Sequence, residues 1–164
     1  NIVDSIPDEP ADLNDKYIEY VNNQVRELLH NYGKIDLLWF DGTVSDLSKA
    51  ITIDEIRKAQ PGIVVNDRLY HVGDYNSQFE CRMPEEKPDG VFEHCHIWPE
   101  KCGWAYCNRT TGYRPAKWVY DSYRQVKEWG GNMLINVGPK ADGSLPAEFY
   151  TELANLKKLL EQDK

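Results

Sequence analysis

The order of residues predicts an α/β fold built from parallel (β/α) units, and three observations carry that prediction. Helical periodicities alternate along the chain with short apolar runs. The runs lack the polar alternation of a sheet with one wet face, which is the pattern of strands covered on both sides. Each run also stops at a polar, chemistry-bearing residue: Asp41, then Asp67 and Arg68, then Glu93, then Asn136.

The elements follow in order. Pro7 to Pro10 reads as an extended lead-in. Asp12 precedes a helical pattern in which Ile18, Val21, Val25, Leu28 and Leu29 share one face, and Gly33 is placed to end it. Ile35 to Phe40 is a short apolar run ending at Asp41-Gly42, a strand buried on both faces. Thr52 caps a helix over Ile53 to Gln60, Pro61-Gly62 turns the chain, and Ile63-Val64-Val65 runs as a strand into Asn66-Asp67-Arg68. From Leu69 to Lys117 the sequence is polar and aromatic, read as two long loops around one strand at Val91 to Cys95. Val119, Tyr123 and Val126 mark a helix ending at Gly130-Gly131. Met133-Leu134-Ile135 is a strand leading to Asn136-Val137-Gly138-Pro139, and Phe149, Leu153, Leu156 and Leu160 outline a last amphipathic helix.

Two parallel folds fit such an order. A doubly wound dinucleotide binder needs a Gly-rich turn after its first strand, which this sequence lacks. In a (β/α)8 barrel the C-terminal ends of all strands face one site, which explains why every run ends on a polar group. A full barrel takes about 250 residues. The four strands are therefore expected to form roughly half of a TIM-like barrel, with 1–164 a fragment of one catalytic domain and the remainder in the same parent chain. Such a piece is expected to leave apolar faces uncovered at Leu37 or Leu134.

Composition excludes several functions. The chain has 164 residues with 41% hydrophobic and 28% charged, so it is not disordered, and its formal charge of -8 leaves no basic footprint for nucleic acid. No apolar run approaches the roughly 20 residues of a membrane span. Aromatic residues make up 12% of the chain, which suits stacking on the apolar faces of sugar rings.

Chemistry concentrates at a few positions. Asp41 leaves a dry strand two residues after Trp39, though Asp-Gly is equally a common turn pair. Arg68 brings an always-charged fork that can hold Asp41 ionised, grip hydroxyls or serve a structural ion pair. A carboxylate nucleophile for retaining glycoside cleavage needs a second carboxyl about 5 to 5.5 Å away, and Glu80 and Glu93 are the candidates. Glu80 is read as a loop acid whose aromatic neighbour Phe79 can raise its pKa, or else as a solvated loop residue. Glu93, inside a strand, must be paired or functional. Trp98, Trp104, Tyr106 and Tyr113 crowd the following loop as stacking faces or as ordinary packing.

Cys81, His94, Cys95, His96, Cys102 and Cys107 are zinc-ligand types, but no Cys-x-x-Cys pair occurs. His94 and His96 are taken to alternate across their strand, so that only one faces a given site. Thiols or disulfides are expected instead of a metal. Asn108-Arg109-Thr110 fits the N-glycosylation triplet.

Taken together, Ile35 to Gly42 (IDLLWFDG), Asn66-Asp67-Arg68, Gly73-Asp74-Tyr75, Phe92-Glu93 and Gly131 to Gly143 (GNMLINVGPKADG) resemble the family-29 glycoside hydrolases, the alpha-L-fucosidases. The resemblance implies a (β/α)-type barrel that hydrolyses terminal α-L-fucose with retention, through a covalent fucosyl-enzyme and without metal or cofactor. It implies Asp41 as nucleophile, Trp39 and Arg68 as walls of the fucose pocket and Trp104 as an aromatic beside the sugar. Glu80, closing the Gly73-Asp74-Tyr75 block, ranks first as acid/base; Glu93, preceded by Phe92 where the family commonly has Trp, ranks close behind. A fucosylated glycan is the implied partner, and an extracellular, periplasmic or lysosomal location follows from the resemblance. The family's early strands carry sugar-binding His residues that are not found here, so this chain alone is expected to be inactive or nearly so. The rival reading is a non-catalytic sugar-binding module on a degenerate barrel.

Overall fold

A computed structural model describes residues 11–101, 103–108 and 112–163. The fold divides into two compact units, one reaching to Asp74 and one starting at Tyr75. The lead-in at Pro7 to Pro10 and most of the Asn108-Arg109-Thr110 triplet lie outside the described residues.

The first unit opens with α1, Ala11–Asn31, which begins one residue ahead of Asp12 and stops short of Gly33 at φ 81°. Left-handed backbone of that kind ends helices at little cost when the residue is glycine. Two short strands follow, β1 at Leu37–Leu38 and β2 at Val64–Val65, paired in parallel with Leu37 opposite Val64. Both are shorter than the apolar runs predicting them. A 3-10 turn at Leu47–Lys49 and α2 at Ile53–Ala59 connect them. Thr52 caps α2 as expected, its side chain accepting from the Glu55 N–H at 3.1 Å.

The helix α1 contributes Val25 and Leu29 to a core completed by Leu38, Ile51, Ile56, Ile63 and Val65, while Ile18 packs with Val44, Ala50 and Leu69. Asn22 ties the same helix to the crossover, donating to the Lys49 carbonyl at 2.8 Å and accepting from Ile51 N–H at 2.7 Å. Leu37 is 45% exposed, so β1 is covered on one face only.

The second unit is built on three strands in the order β3-β4-β5, all parallel: β3 Asn76–Glu80, β4 Phe92–Ile97 and β5 Asn132–Asn136. The strand β3 corrects the expectation of a loop there. It carries only one large apolar residue, Phe79, in the run Asn-Ser-Gln-Phe-Glu, so no hydrophobic period announces it. What holds it is the ladder to β4, with Phe79 opposite His94 and Glu80 opposite Cys95. The strand β4 also runs two residues further than expected, to Ile97.

Helices α3, Ala116–Glu128, and α4, Ala147–Glu161, complete this unit. Its core joins Trp98, Val119 and Phe149, with Met133, Ile135 and Leu156 packed around them. Leu134 is 37% exposed. Among the described residues no helix is long and apolar enough to cross a membrane.

Candidate active site

In the first unit the site residues sit immediately beyond the paired strands. Asn66, fully buried, closes the gap between the strand ends: its side-chain amide donates to the Phe40 carbonyl and its oxygen accepts from the Phe40 N–H, both at 2.8 Å. The amide thus extends the β1–β2 pairing by one rung made from a side chain, fixing the backbone next to Asp41. A buried polar side chain persists where both its donor and acceptor are satisfied. The sequence showed Asn66 within its motif but gave it no role; an amide directly after a β-branched strand was the available signal.

Arg68 then reaches across. Its Nη1 donates to Asp41 Oδ1 at 2.8 Å, and its guanidinium carbon stands 4.3 Å from the centre of the Trp39 ring. The expected trio of Trp39, Asp41 and Arg68 is therefore one contact cluster. Its burial is lopsided: the Arg68 side chain is 12% exposed and that of Asp41 77%. Ion pairs of this openness contribute little to stability, so the cluster's value lies in presenting a carboxylate beside a fixed cation and an indole face.

In the second unit the register sorts the two candidate acids. Glu80 is the last residue of β3, and Asn136 the last of β5, opposite Ile97 at the end of β4. These define the C-terminal edge of the sheet. Glu93 is opposite Asn132, the first residue of β5, and so lies toward the N-terminal end of β4. Glu80 pairs with Cys95, so the two acids stand two residues apart in register, roughly 7 Å of strand. The expectation that Glu93 ends its strand is corrected by the extension of β4 to Ile97. Glu93 is 5% exposed, with its Oε2 accepting from Asn132 Nδ2 at 3.0 Å.

Glu80 is exposed and, with Gln78, lines an open groove of about 820 Å³ whose other wall is the 82–89 segment. Phe79 does not surround its carboxyl. Successive side chains point to opposite faces, and the Phe79 ring packs edge-on against Phe92 at 5.7 Å.

The aromatic cluster divides. Trp98 is buried, donating from Nε1 to the Arg114 carbonyl at 2.8 Å and packing against Tyr113 and Phe149, so both Trp98 and Tyr113 serve the core. Trp104 and Tyr106 stay exposed. Asn136 holds their segment to the end of β5, its Nδ2 donating to the Trp104 carbonyl at 2.8 Å. At Gly138 a Cβ would sit 2.3 Å from Tyr106 N, so only glycine permits that approach. The Trp104 backbone is thereby fixed at the C-terminal end of β5.

His94 and His96 do not alternate across the sheet. Residues two apart share a face, and their rings lie 5.7 Å apart. Burial pushes both imidazoles below the usual histidine value, against hydrogen bonds to backbone that favour the charged form. Among the described residues no group of three or more potential ligands can hold a metal ion. Cys107 is disulfide-bonded, while Cys81 and Cys95 are free thiols.

A parallel α/β framework that brings a carboxylate, an arginine and exposed aromatic faces to strand ends has the makings of a glycoside hydrolase. Residues 3–164 match the family model for alpha-L-fucosidase, and the chain belongs to that family. It is 28% identical over 153 residues to the tissue alpha-L-fucosidase of Mus musculus, covering 84% of this chain and 33% of that protein. Among solved structures it is similar to alpha-L-fucosidase isoenzyme 1 from Paenibacillus thiaminolyticus, with TM-score 0.79 and 30% identity over 94% of this chain and 41% of that one. A second is a Bacteroides thetaiotaomicron alpha-L-fucosidase trapped as a covalent intermediate with 2-fluoro-fucosyl fluoride, with TM-score 0.73 and 26% identity over 89% of this chain and 39% of that one. The chain thus spans about a third of the length of the curated relatives it matches.

Proposed function

We propose that this chain supplies roughly half of the catalytic barrel of a retaining exo-α-L-fucosidase, with Asp41 as nucleophile and Glu80 as acid/base. The observation that carries the reading is the Asp41–Arg68–Trp39 cluster beyond a parallel strand pair, in a chain of this family. In the first step the Asp41 carboxylate attacks the anomeric carbon of a terminal fucoside while Glu80 gives its proton to the departing glycosidic oxygen. In the second, Glu80 takes a proton from water, whose oxygen displaces Asp41 and releases fucose with its original anomeric configuration. Arg68 and Trp39 form one wall of the sugar pocket, and Trp104 offers a stacking face.

Glu80 is preferred over Glu93 because active sites of parallel barrels lie at the C-terminal ends of the strands. Glu80 ends β3 and is exposed, whereas Glu93, two residues earlier in register, is buried and bonded to Asn132. The substrate is a fucosylated glycan or glycoconjugate. The disulfide at Cys107 supports an extracellular, periplasmic or lysosomal location.

Asp41→Gly in the complete protein tests the reading. Turnover of an aryl fucoside should fall by at least roughly 10³-fold while fucose still binds, because the lost step is bond formation. Unchanged turnover excludes Asp41 as nucleophile. Fucose binding by a wild-type protein that turns over no fucoside indicates the sugar-binding module instead.

A further inference from the structure

The loop that leaves Arg68 turns back on the strand it came from. Val64 N–H donates to the Asp36 carbonyl and Asn66 N–H to that of Leu38, so β2 meets β1 through residues 64 and 66 and directs the main-chain groups of Val65 to its other edge. There Asp74 takes up both. Its N–H donates to the Val65 carbonyl at 2.9 Å, and its Oδ2 accepts from the Val65 N–H at 2.8 Å. The second carboxylate oxygen accepts from Nη2 of Arg57, on α2, at 2.6 Å.

Gly73 presses on the next link of the chain. A Cβ there would stand 2.6 Å from the Asn66 carbonyl carbon and 2.8 Å from Asp67 N, so the loop lies directly against the peptide joining Asn66 to Asp67 and only glycine permits the approach. The start of the loop is tied as well: Thr43 Oγ1 donates to the Leu69 carbonyl at 2.9 Å, and the Tyr70 hydroxyl donates to the Ile51 carbonyl. Between these anchors His71 adopts φ 55°, a left-handed conformation that persists where surrounding contacts over-determine it.

The segment held in this way carries both side chains that surround Asp41: Asn66 clamps Phe40, and Arg68 meets the carboxylate and Trp39. We propose that Asp74 is a positioning residue that sets Arg68 against Asp41 by closing the loop on Val65. This rests on the reading of Asp41 as nucleophile, whose fixed cation tolerates little misplacement, since errors near 1 Å cost about 10²-fold. Asp74 acts as a hydrogen-bond acceptor more than as a charge. The side chains of Arg57 and Asp74 are 46% and 33% exposed, and ion pairs so open contribute little.

The test compares Asp74→Ala and Asp74→Asn in the complete protein, each with Arg68 intact and with Arg68→Ala. Amide exchange at Val65 should accelerate about tenfold or more in Asp74→Ala, with α1 unchanged, and recover in Asp74→Asn, which keeps an oxygen for that N–H. With Arg68 intact, kcat/KM on an aryl fucoside should fall about tenfold or more in Asp74→Ala and recover with Asn; beside Arg68→Ala the same change should cost at most about threefold, because the group it positions is gone. Gly73→Ala, which drives a Cβ into the Asn66–Asp67 peptide, gives a second reading of the same cycle should Asp74→Ala fail to fold. A role confined to folding costs the same factor in both backgrounds and overturns the proposal, as does unaltered exchange at Val65 in Asp74→Ala. Turnover retained in Asp41→Gly overturns the nucleophile reading and, with it, the positioning role, whereas exchange at Val65 still reports whether Asp74 closes the loop.

Discussion

The two units hold their candidate carboxylates by different means. Asp41 follows a strand pair only two residues long, and its surroundings are assembled by side chains: the Asn66 amide clamps Phe40, and Arg68 spans from Trp39 to the carboxylate. In the second unit backbone register does most of the work, with three parallel strands setting Glu80 opposite Cys95, two residues further toward the C-terminal ends than Glu93. A side-chain scaffold can be dismantled by one substitution. A register can be changed only by disturbing the sheet, so single changes there act through the buried group they remove.

The largest effect on stability is expected at Asn66. Asn66→Ala removes two hydrogen bonds and leaves both backbone groups of Phe40 without their amide partner, costing about 2–4 kcal/mol. Denaturant unfolding should show this loss, with a matching loss of turnover in the complete protein. Asn66→Asp, which keeps the acceptor and loses the donor, should fall between.

Glu93 and Glu80 come next, because they separate burial from exposure within one sheet. Glu93→Ala removes a buried side chain together with its bond to the exposed Asn132 amide and should cost about 1–3 kcal/mol. Glu80→Ala should stay within about 0.5 kcal/mol of wild type while removing activity on poor leaving groups. The reverse ranking in a melting experiment would exchange the roles of the two acids.

Arg68→Lys should be milder. Charge is kept, but the planar fork that serves Asp41 and Trp39 together is lost, and kcat/KM should drop by roughly tenfold with little change in melting temperature. Steady-state kinetics on an aryl fucoside measures it.

Acid should produce the smallest difference, and it should fall on the second unit first. His94 and His96 have folded pKa values depressed chiefly by burial, so the unfolded chain binds protons before the folded one does. Their penalty begins as the pH falls through the unfolded value near 6.5 and is complete below the folded values. In the first unit the lowered groups are Asp46 and Glu55, held down by hydrogen bonds to Ser48 and Arg26, and these act only as the pH falls through the ordinary carboxylate range. Amide exchange between pH 7 and 5 should therefore loosen β3 and β4 while β1 and β2 hold. Equal loosening would remove the histidines as the cause.

Much of this was legible in the sequence. Helices announce themselves through apolar period and caps, as Thr52 and the Val119-Val126 spacing show, and the strand ends at Asp41 and Arg68 were marked by abrupt polarity. The strand β3 was not legible, because its pairing depends on main-chain bonds to β4 that no side-chain pattern in Asn-Ser-Gln-Phe-Glu encodes. That omission made Glu80 a loop acid, and ending β4 at Cys95 misplaced Glu93. The shared face of His94 and His96 was readable from the two-residue period and was misjudged. The Asn66 clamp required coordinates, since an amide's partners lie 26 residues away.

The most direct test of the account is to trap the covalent intermediate. The complete protein, incubated with 2-fluoro-fucosyl fluoride and digested, should yield one peptide heavier by a fluorofucosyl group, with fragmentation assigning the added mass to Asp41. Attachment to Glu80 or Glu93, or turnover with inverted product and no labelled peptide, would contradict the assignment of Asp41 as the nucleophile.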